Sequence, residues 1–163
     1  YIIFIVFKLV KIFFIISNLI KIMILIEIVP NLWLGDFDGY KYKDNINVKY
    51  LVNYSKDLHF LGNYKDYNTS MKVSIEKYEI IKMYEYMVES VNFIYKNMKN
   101  DESTLVFCEN GNQKSASVIA AFLIKFGNHS KESAIKAIRT KYNSAFYPDI
   151  DYNLSLEMFE KNY

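Results

Sequence analysis

Several residue types are scarce in this sequence, and each shortage narrows the class of protein. A single cysteine, Cys108, excludes an internal disulfide framework, so a reducing, intracellular and most simply cytoplasmic location is expected. Charge of either sign is not in excess. Three of the 20 Lys and Arg residues lie in residues 1–22, which leaves 17 against 18 Asp and Glu. This balance gives no reason to expect a nucleic-acid partner.

Internal repeats and low-complexity tracts are also missing, so the 163 residues suit one domain with one core. Residues 1–22 are almost wholly apolar, but three lysines and a Ser-Asn pair interrupt them. A membrane span needs roughly 20 consecutive apolar residues, and no small-residue cleavage site indicates a secretory signal. Two interpretations stay open: a membrane anchor, or translated sequence upstream of a start at Met23, which we favour. We expect the folded domain at residues 23–163, with membrane association only if residues 1–22 are an anchor.

Hydrophobic periodicity in residues 23–163 predicts strands alternating with helices. The expected strands are two short runs within 23–35 around Pro30-Asn31, then 48–53, 59–62, 71–75 and 105–107. The expected helices are a short one within 36–45, a long one from Glu76 to about Lys99, one at 116–126 ending at Gly127-Asn128, one after Ser130 and one after Pro148. This alternation is typical of an α/β fold.

A short polar loop joins the strand at 105–107 to the helix at 116–126. A strand-loop-helix turn of this kind directs successive backbone N–H groups into one concavity at a helix N-terminus, which makes an anion site. The same dipoles stabilise a thiolate at the base of the loop. The residues predicted to surround a bound phosphate are Cys108, Glu109, Asn110, Gly111, Asn112, Gln113 and Lys114. A lone cysteine is usually a buried apolar residue, but its place in this loop favours a nucleophile.

The pattern Cys108-x-x-Gly111-x-x-Lys114-Ser115 resembles the signature loop of the cysteine-dependent protein tyrosine phosphatases, His-Cys-x-x-Gly-x-x-Arg-Ser/Thr. The segment at 28–35, Ile-Val-Pro-Asn-Leu-Trp-Leu-Gly, is similar to the opening of dual-specificity phosphatase domains.

A third match lies beyond the loop, where Pro148-Asp149-x-x-Tyr152 is similar to the family's Pro-Asn followed by an aromatic residue. The resemblance covers about residues 24–162. It implies a central mixed sheet of about five strands flanked by helices, no cofactor and no metal. It also implies a partner protein phosphorylated on tyrosine, serine or threonine.

The resemblance assigns catalytic roles, and this sequence departs from them at three places. Cys108 matches the nucleophile and Ser115 the hydroxyl that helps expel the thiolate. Phe107 stands in place of the family's His, and Lys114 in place of its Arg. The loop before the long helix has no Asp to protonate the leaving group. Glu76 is the nearest candidate acid and Glu79 the next, although a carboxylate there also suits a helix N-terminus, which we favour for Glu79.

Lysine cannot make the two parallel bonds that arginine makes to a phosphoryl group. Loss of one preorganised donor costs on the order of 10²–10³ in rate. The sequence therefore favours a divergent member with impaired catalysis, a pseudophosphatase that binds phosphorylated proteins. The alternative is an active but slow protein phosphatase that uses Cys108 as its nucleophile. A phosphoinositide or an RNA 5′-phosphate substrate is a minor variant of that alternative.

Overall fold

The computed structural model describes residues 23–57, 59–60, 70–76 and 79–163. Its elements are, in chain order, β1 (Leu25–Val29), β2 (Leu32–Gly35), α1 (Phe37–Lys41), a 3-10 turn (Lys43–Ile46), β3 (Val48–Asn53), β4 (Ser70–Lys72), α2 (Ile80–Met98), β5 (Ser103–Phe107), α3 (Lys114–Gly127), α4 (Lys131–Lys141) and α5 (Asn153–Asn162). The five strands form one sheet in the order β1-β2-β5-β3-β4. Only β1 and β2 pair antiparallel. The predicted mixed five-stranded sheet flanked by helices is confirmed.

Strand β5 lies at the centre of the sheet. Its Val106 pairs with Leu34 of β2 on one side and Val52 of β3 on the other, both in parallel. Parallel strands end at the same edge of a sheet, which is where open α/β sheets bind ligands. Cys108 follows β5 directly and therefore emerges at the middle of this edge.

Both faces of the sheet are covered, which explains why β5 is apolar throughout. Val106 and Cys108 belong to a large core that includes the buried faces of α2, α3, α4 and α5. Leu105 and Phe107 belong to a smaller core on the other side, with Tyr40 of α1 and residues of β3. Successive side chains of β5 alternate between the two cores because a strand has a two-residue period. Phe107 and Cys108 therefore lie on opposite sides of the sheet.

Two helices begin at other residues than the sequence predicts. The prediction that the long helix begins at Glu76 is wrong, because α2 begins at Ile80. The Glu79 carboxylate accepts a hydrogen bond from the Glu76 N–H at 2.6 Å, which holds the preceding turn. Helix α3 begins at Lys114, two residues earlier than predicted. The predicted end of α3 is confirmed, with Asn128 in the left-handed conformation, and Ser130 caps α4 as predicted.

Two strand predictions need correction. Strand β4 is Ser70–Lys72 rather than 71–75, although Val73 and Ile75 are still buried as extended chain against the core. Residues 59–60 are not in a strand, and residues 61–62 of that predicted strand lie outside the described residues.

The apolar segment 1–22 also lies outside the described residues. In the part of the chain that the structure describes, no helix has the length and apolar character to span a bilayer.

Candidate active site

Cys108 forms the floor of the candidate site. Its side chain is buried and its thiol is free. The Sγ atom accepts a hydrogen bond from the backbone N–H of Gly111 at 3.3 Å and lies 3.2 Å from the Ser115 hydroxyl oxygen. The sulfur is thus contacted by one backbone donor and one hydroxyl group of its own loop. The structure therefore brings Cys108, the predicted nucleophile, into contact with Ser115, the residue whose hydroxyl is predicted to help expel the thiolate.

Gly111 gives the loop its sharp curvature. Its φ is 71°, a left-handed conformation that residues with a side chain rarely adopt. A Cβ there would lie 3.1 Å from the Gly35 oxygen and 3.2 Å from the Asp36 nitrogen, so the loop packs backbone to backbone against the end of β2. Glycine is therefore required by both conformation and space.

A turn near the C-terminus, residues 143–151, holds the far side of the loop. We call it the carboxyl-terminal turn. The Gln113 amide donates hydrogen bonds to the carbonyl oxygens of Tyr147 and Asp149, at 3.3 and 2.7 Å. The Gln113 oxygen accepts the Asp151 N–H at 3.2 Å. One side chain of the loop thus fixes three backbone positions of the turn.

The single arginine of the chain donates hydrogen bonds to the carboxyl-terminal turn, which in turn contacts the loop. Arg139 of α4 donates to the carbonyl oxygens of Ala145 and Phe146, at 3.1 and 3.3 Å. The backbone N–H of Phe146, which is itself fully buried, donates to the Asn112 oxygen at 2.7 Å. Arg139 therefore supports the loop through the carboxyl-terminal turn and is not a residue of the loop.

Lys114, the first residue of α3, is paired within the loop. Its Nζ lies 3.5 and 3.4 Å from the two carboxylate oxygens of Glu109. The Lys114 side chain is 17% exposed and that of Glu109 is 37% exposed. Glu109 also accepts the backbone N–H of Lys56 at 2.8 Å. The cation that replaces arginine is thus held by a carboxylate from its own loop.

These side chains surround a cleft of about 240 Å³. Its lining comprises Cys108, Glu109, Asn110, Asn112, Gln113, Lys114, Asp151 and Tyr152. Six of the seven residues predicted around a phosphate line the cleft, and Gly111 lies behind them against Gly35. The arrangement suits an anion at the N-terminus of α3.

Asp151 and Tyr152 were not predicted at the site. Burial, followed by the neighbouring charge of Asp151, raises the pKa of Tyr152 well above its usual value. The Tyr152 hydroxyl remains protonated and donates to the Glu76 carbonyl oxygen at 3.3 Å. The motif Pro148-Asp149-x-x-Tyr152 was the available signal, but it indicates only that the segment resembles the family's, not that the segment contacts the loop.

Phe107 packs away from the thiol, on the other side of the sheet. Its ring stacks on that of Tyr40, with centroids 4.4 Å apart and an interplanar angle of 2°. Phe60 meets it edge-on at 6.3 Å. Aromatic pairs of this kind contribute about 0.5–1.5 kcal/mol beyond their buried area. The position that holds a hydrogen-bonding His in the family pattern is here part of an apolar cluster.

The two candidate acids point to other partners. The Glu76 side chain is 61% exposed, and its Oε1 lies 2.5 Å from the Lys56 Nζ. Glu79 accepts the Glu76 N–H and pairs with Lys82 at 3.3 Å. The hydrogen bond from the Glu76 N–H is the main cause that lowers the pKa of Glu79. Neither carboxylate lines the cleft, so a proton-donor role for Glu76 stays a prediction.

Comparison with known proteins gives a consistent set of relatives. The family model described as "Dual specificity phosphatase, catalytic domain" matches residues 32–162. A protein of Invertebrate iridescent virus 6 named "Putative tyrosine phosphatase 123R" is 23% identical over 135 residues, which cover 83% of this chain and 91% of the viral protein.

Solved structures share the fold. Human DUSP28 aligns with a TM-score of 0.73 at 19% identity and covers 85% of this chain and 93% of its own. The human tyrosine phosphatase-like serine/threonine/tyrosine-interacting protein aligns with a TM-score of 0.74 at 14% identity and covers 85% and 97%. At these identities the likeness establishes the fold alone.

Proposed function

This chain belongs to the dual-specificity phosphatase family, and we propose that its loop from Cys108 to Ser115 binds the phosphate group of phosphorylated proteins with little or no turnover. The observation that carries the proposal is the contrast within the cleft. The sulfur at its floor keeps its N–H donor and its hydroxyl neighbour, while the cation at its wall is paired with Glu109.

Phosphate binding depends on groups that the chain retains. Backbone N–H groups of the loop and the N-terminus of α3 attract an anion without any basic side chain. Gly111, Gln113 and the carboxyl-terminal turn hold the loop in shape. A phosphoryl group therefore finds preformed donors.

Turnover depends on groups that are replaced. In the family reaction a thiolate attacks phosphorus, the bond to the leaving oxygen breaks, and that oxygen takes a proton from an acid. Lys114 offers a point charge instead of a bidentate fork, and Phe107 donates no hydrogen bond to the loop. Glu76, the candidate acid in the loop before the long helix, is paired with Lys56. Since all three departures act on one transition state, we propose that catalysis is impaired.

The second candidate function is a slow protein tyrosine/serine/threonine phosphatase. The Cys108–Ser115 contact of 3.2 Å favours it, because a hydroxyl beside sulfur helps the thiolate leave when water hydrolyses the phosphocysteine. The name of the viral relative, a tyrosine phosphatase, supports the same function. The name of the human interacting protein supports the binding function instead. For either function we propose an intracellular, cytoplasmic location.

The two functions are separated by measuring phosphate binding and turnover on the same full-length chain. Calorimetry with inorganic phosphate, and hydrolysis of an aryl phosphate, are followed for the wild type and for Cys108→Ser. We expect both proteins to bind phosphate, because the donors are backbone groups, and the wild type to turn over slowly or not at all. A wild type with no phosphate affinity would contradict the binding function. Turnover at a rate ordinary for phosphatases, abolished by Cys108→Ser, would replace it with the second candidate.

A further inference from the structure

The charges around the cleft differ from those expected at a phosphate site. Of the described residues that line it, Lys114 is the single cation, while Glu109 and Asp151 are carboxylates. A phosphate dianion bound there meets two negative side chains and one positive one.

The position of the Glu109 carboxylate is fixed by a backbone contact. Its Oε1 accepts the Lys56 backbone N–H at 2.8 Å. Lys114 approaches its two oxygens only to 3.5 and 3.4 Å, which is longer than the roughly 2.7–2.9 Å of a strong charge-assisted bond. The backbone contact is the closer of the two and does not depend on Lys114.

An arriving phosphate therefore changes the partners of Lys114 but not the place of Glu109. The ammonium of a lysine sits on a flexible stem and can turn to the phosphate. Glu109 then stays at the cleft wall, held by the Lys56 N–H, with its negative charge no longer offset by Lys114. The ammonium of Lys56 does not offset it fully, because it lies 2.5 Å from the Glu76 carboxylate.

We propose that Glu109 is a specificity-determining residue that selects phosphorylated protein segments with a lysine or arginine beside the phosphorylated residue. The lysine or arginine beside the phosphorylated residue pairs with the Glu109 carboxylate in place of Lys114. An acidic flank is repelled by both Glu109 and Asp151. This inference rests on the proposed phosphate-binding function and names the class of ligand for it.

The test compares three phosphopeptides of equal length whose flanking residues are lysine, alanine or glutamate. Binding to the full-length chain is measured by calorimetry, in a Cys108→Ser background so that no peptide is consumed. Inorganic phosphate, which has no flank, is the reference ligand. Glu109→Gln is compared with Glu132→Gln, an exposed residue of α4 whose substitution makes the same change in net charge.

We expect the lysine-flanked peptide to bind about threefold to tenfold more tightly than the glutamate-flanked one, as for a few partly exposed charge pairs. Glu109→Gln should reduce this ratio to near one and raise the affinity for inorganic phosphate, because Lys114 is released. Glu132→Gln should leave both unchanged. Raising the salt concentration to about 0.5 M should lower the ratio of the wild-type affinities for the lysine-flanked and glutamate-flanked peptides.

The inference is overturned if Glu109→Gln keeps the wild-type ratio, if Glu132→Gln lowers it equally, or if the acidic flank binds more tightly. Each of these results leaves phosphate binding itself intact. Failure of the chain to bind even inorganic phosphate, in wild type and Glu109→Gln alike, would instead overturn the proposed function and this inference with it.

Discussion

Replacing Lys114 with arginine tests the departure that we hold most responsible for impaired turnover. The Lys114 side chain is largely buried in the cleft wall, and its Nζ lies 3.5 and 3.4 Å from the two Glu109 oxygens. A guanidinium at this place can make two parallel bonds to a phosphoryl group, but also to the Glu109 carboxylate. The double variant with Glu109→Gln removes that competing partner.

The expected change in turnover rate follows from the two partners that compete for the guanidinium, the phosphoryl group and the Glu109 carboxylate. One preorganised donor at a transition state is worth on the order of 10²–10³ in rate. A hydrogen bond to a charged group contributes about 1.5–3 kcal/mol, so retention by Glu109 can offset roughly tenfold to a hundredfold of the gain. We therefore expect Lys114→Arg to raise turnover by about tenfold or somewhat more, and the double variant to approach a thousandfold. The two effects should not be additive, because both residues act on one group.

The assay is steady-state hydrolysis of para-nitrophenyl phosphate by the full-length chain, with kcat/KM compared among the wild type, the two single variants and the double variant. Lys136→Arg on α4 is the matched control, since it makes the same exchange at an exposed position far along the sequence from the loop. Cys108→Ser defines the background rate. Inorganic phosphate binding by calorimetry shows whether each variant keeps the loop in shape.

The reasoning is refuted if both Lys114→Arg and the double variant bind phosphate yet remain within twofold of the wild-type rate. Lysine in the arginine position would then not limit turnover. A wild-type rate that persists in Cys108→Ser would show that the measured hydrolysis does not come from this cleft.

Three further predictions concern the groups that hold the site. Gln113→Ala removes three hydrogen bonds to the carboxyl-terminal turn, so urea unfolding should show a loss of about 1–3 kcal/mol and phosphate affinity should fall; an unchanged affinity would contradict the supporting role. Phe107→His places a polar ring in the apolar cluster with Tyr40, so it should lower stability by about 1–3 kcal/mol rather than repair catalysis, and a more stable variant would be the contrary result. The lowered pKa of Glu79 means that its carboxylate stabilises the folded state above the ordinary value of 4.5, and this stabilisation is lost as pH falls through the lower folded value. Acid unfolding of Glu79→Gln should therefore be less steep in that range than that of the wild type, and identical curves would refute a stabilising role for the hydrogen bond between the Glu76 N–H and Glu79.

The fold could be predicted to a large extent because its signals are local. Alternating apolar runs specify strands, and Met87, Val91 and Ile94 recur at the spacing that buries one face of α2. The spacing of Cys108, Gly111 and Ser115 specifies a loop between a strand and a helix. The errors at Glu76 and at β4 arose at element ends, which are the least well specified part of any helix or strand.

The sequence alone is enough to predict a cysteine at the base of a loop between a strand and a helix, because such a turn needs only consecutive residues. The tertiary structure alone decided what surrounds that loop. Lys56 reaches Glu109 across 53 positions, and Asp151 meets Gln113 across 38. Such contacts depend on the parallel pairing of β3 with β5 and on the packing of the carboxyl-terminal turn against the loop. No periodicity encodes them, because they arise only when distant segments are packed around one core.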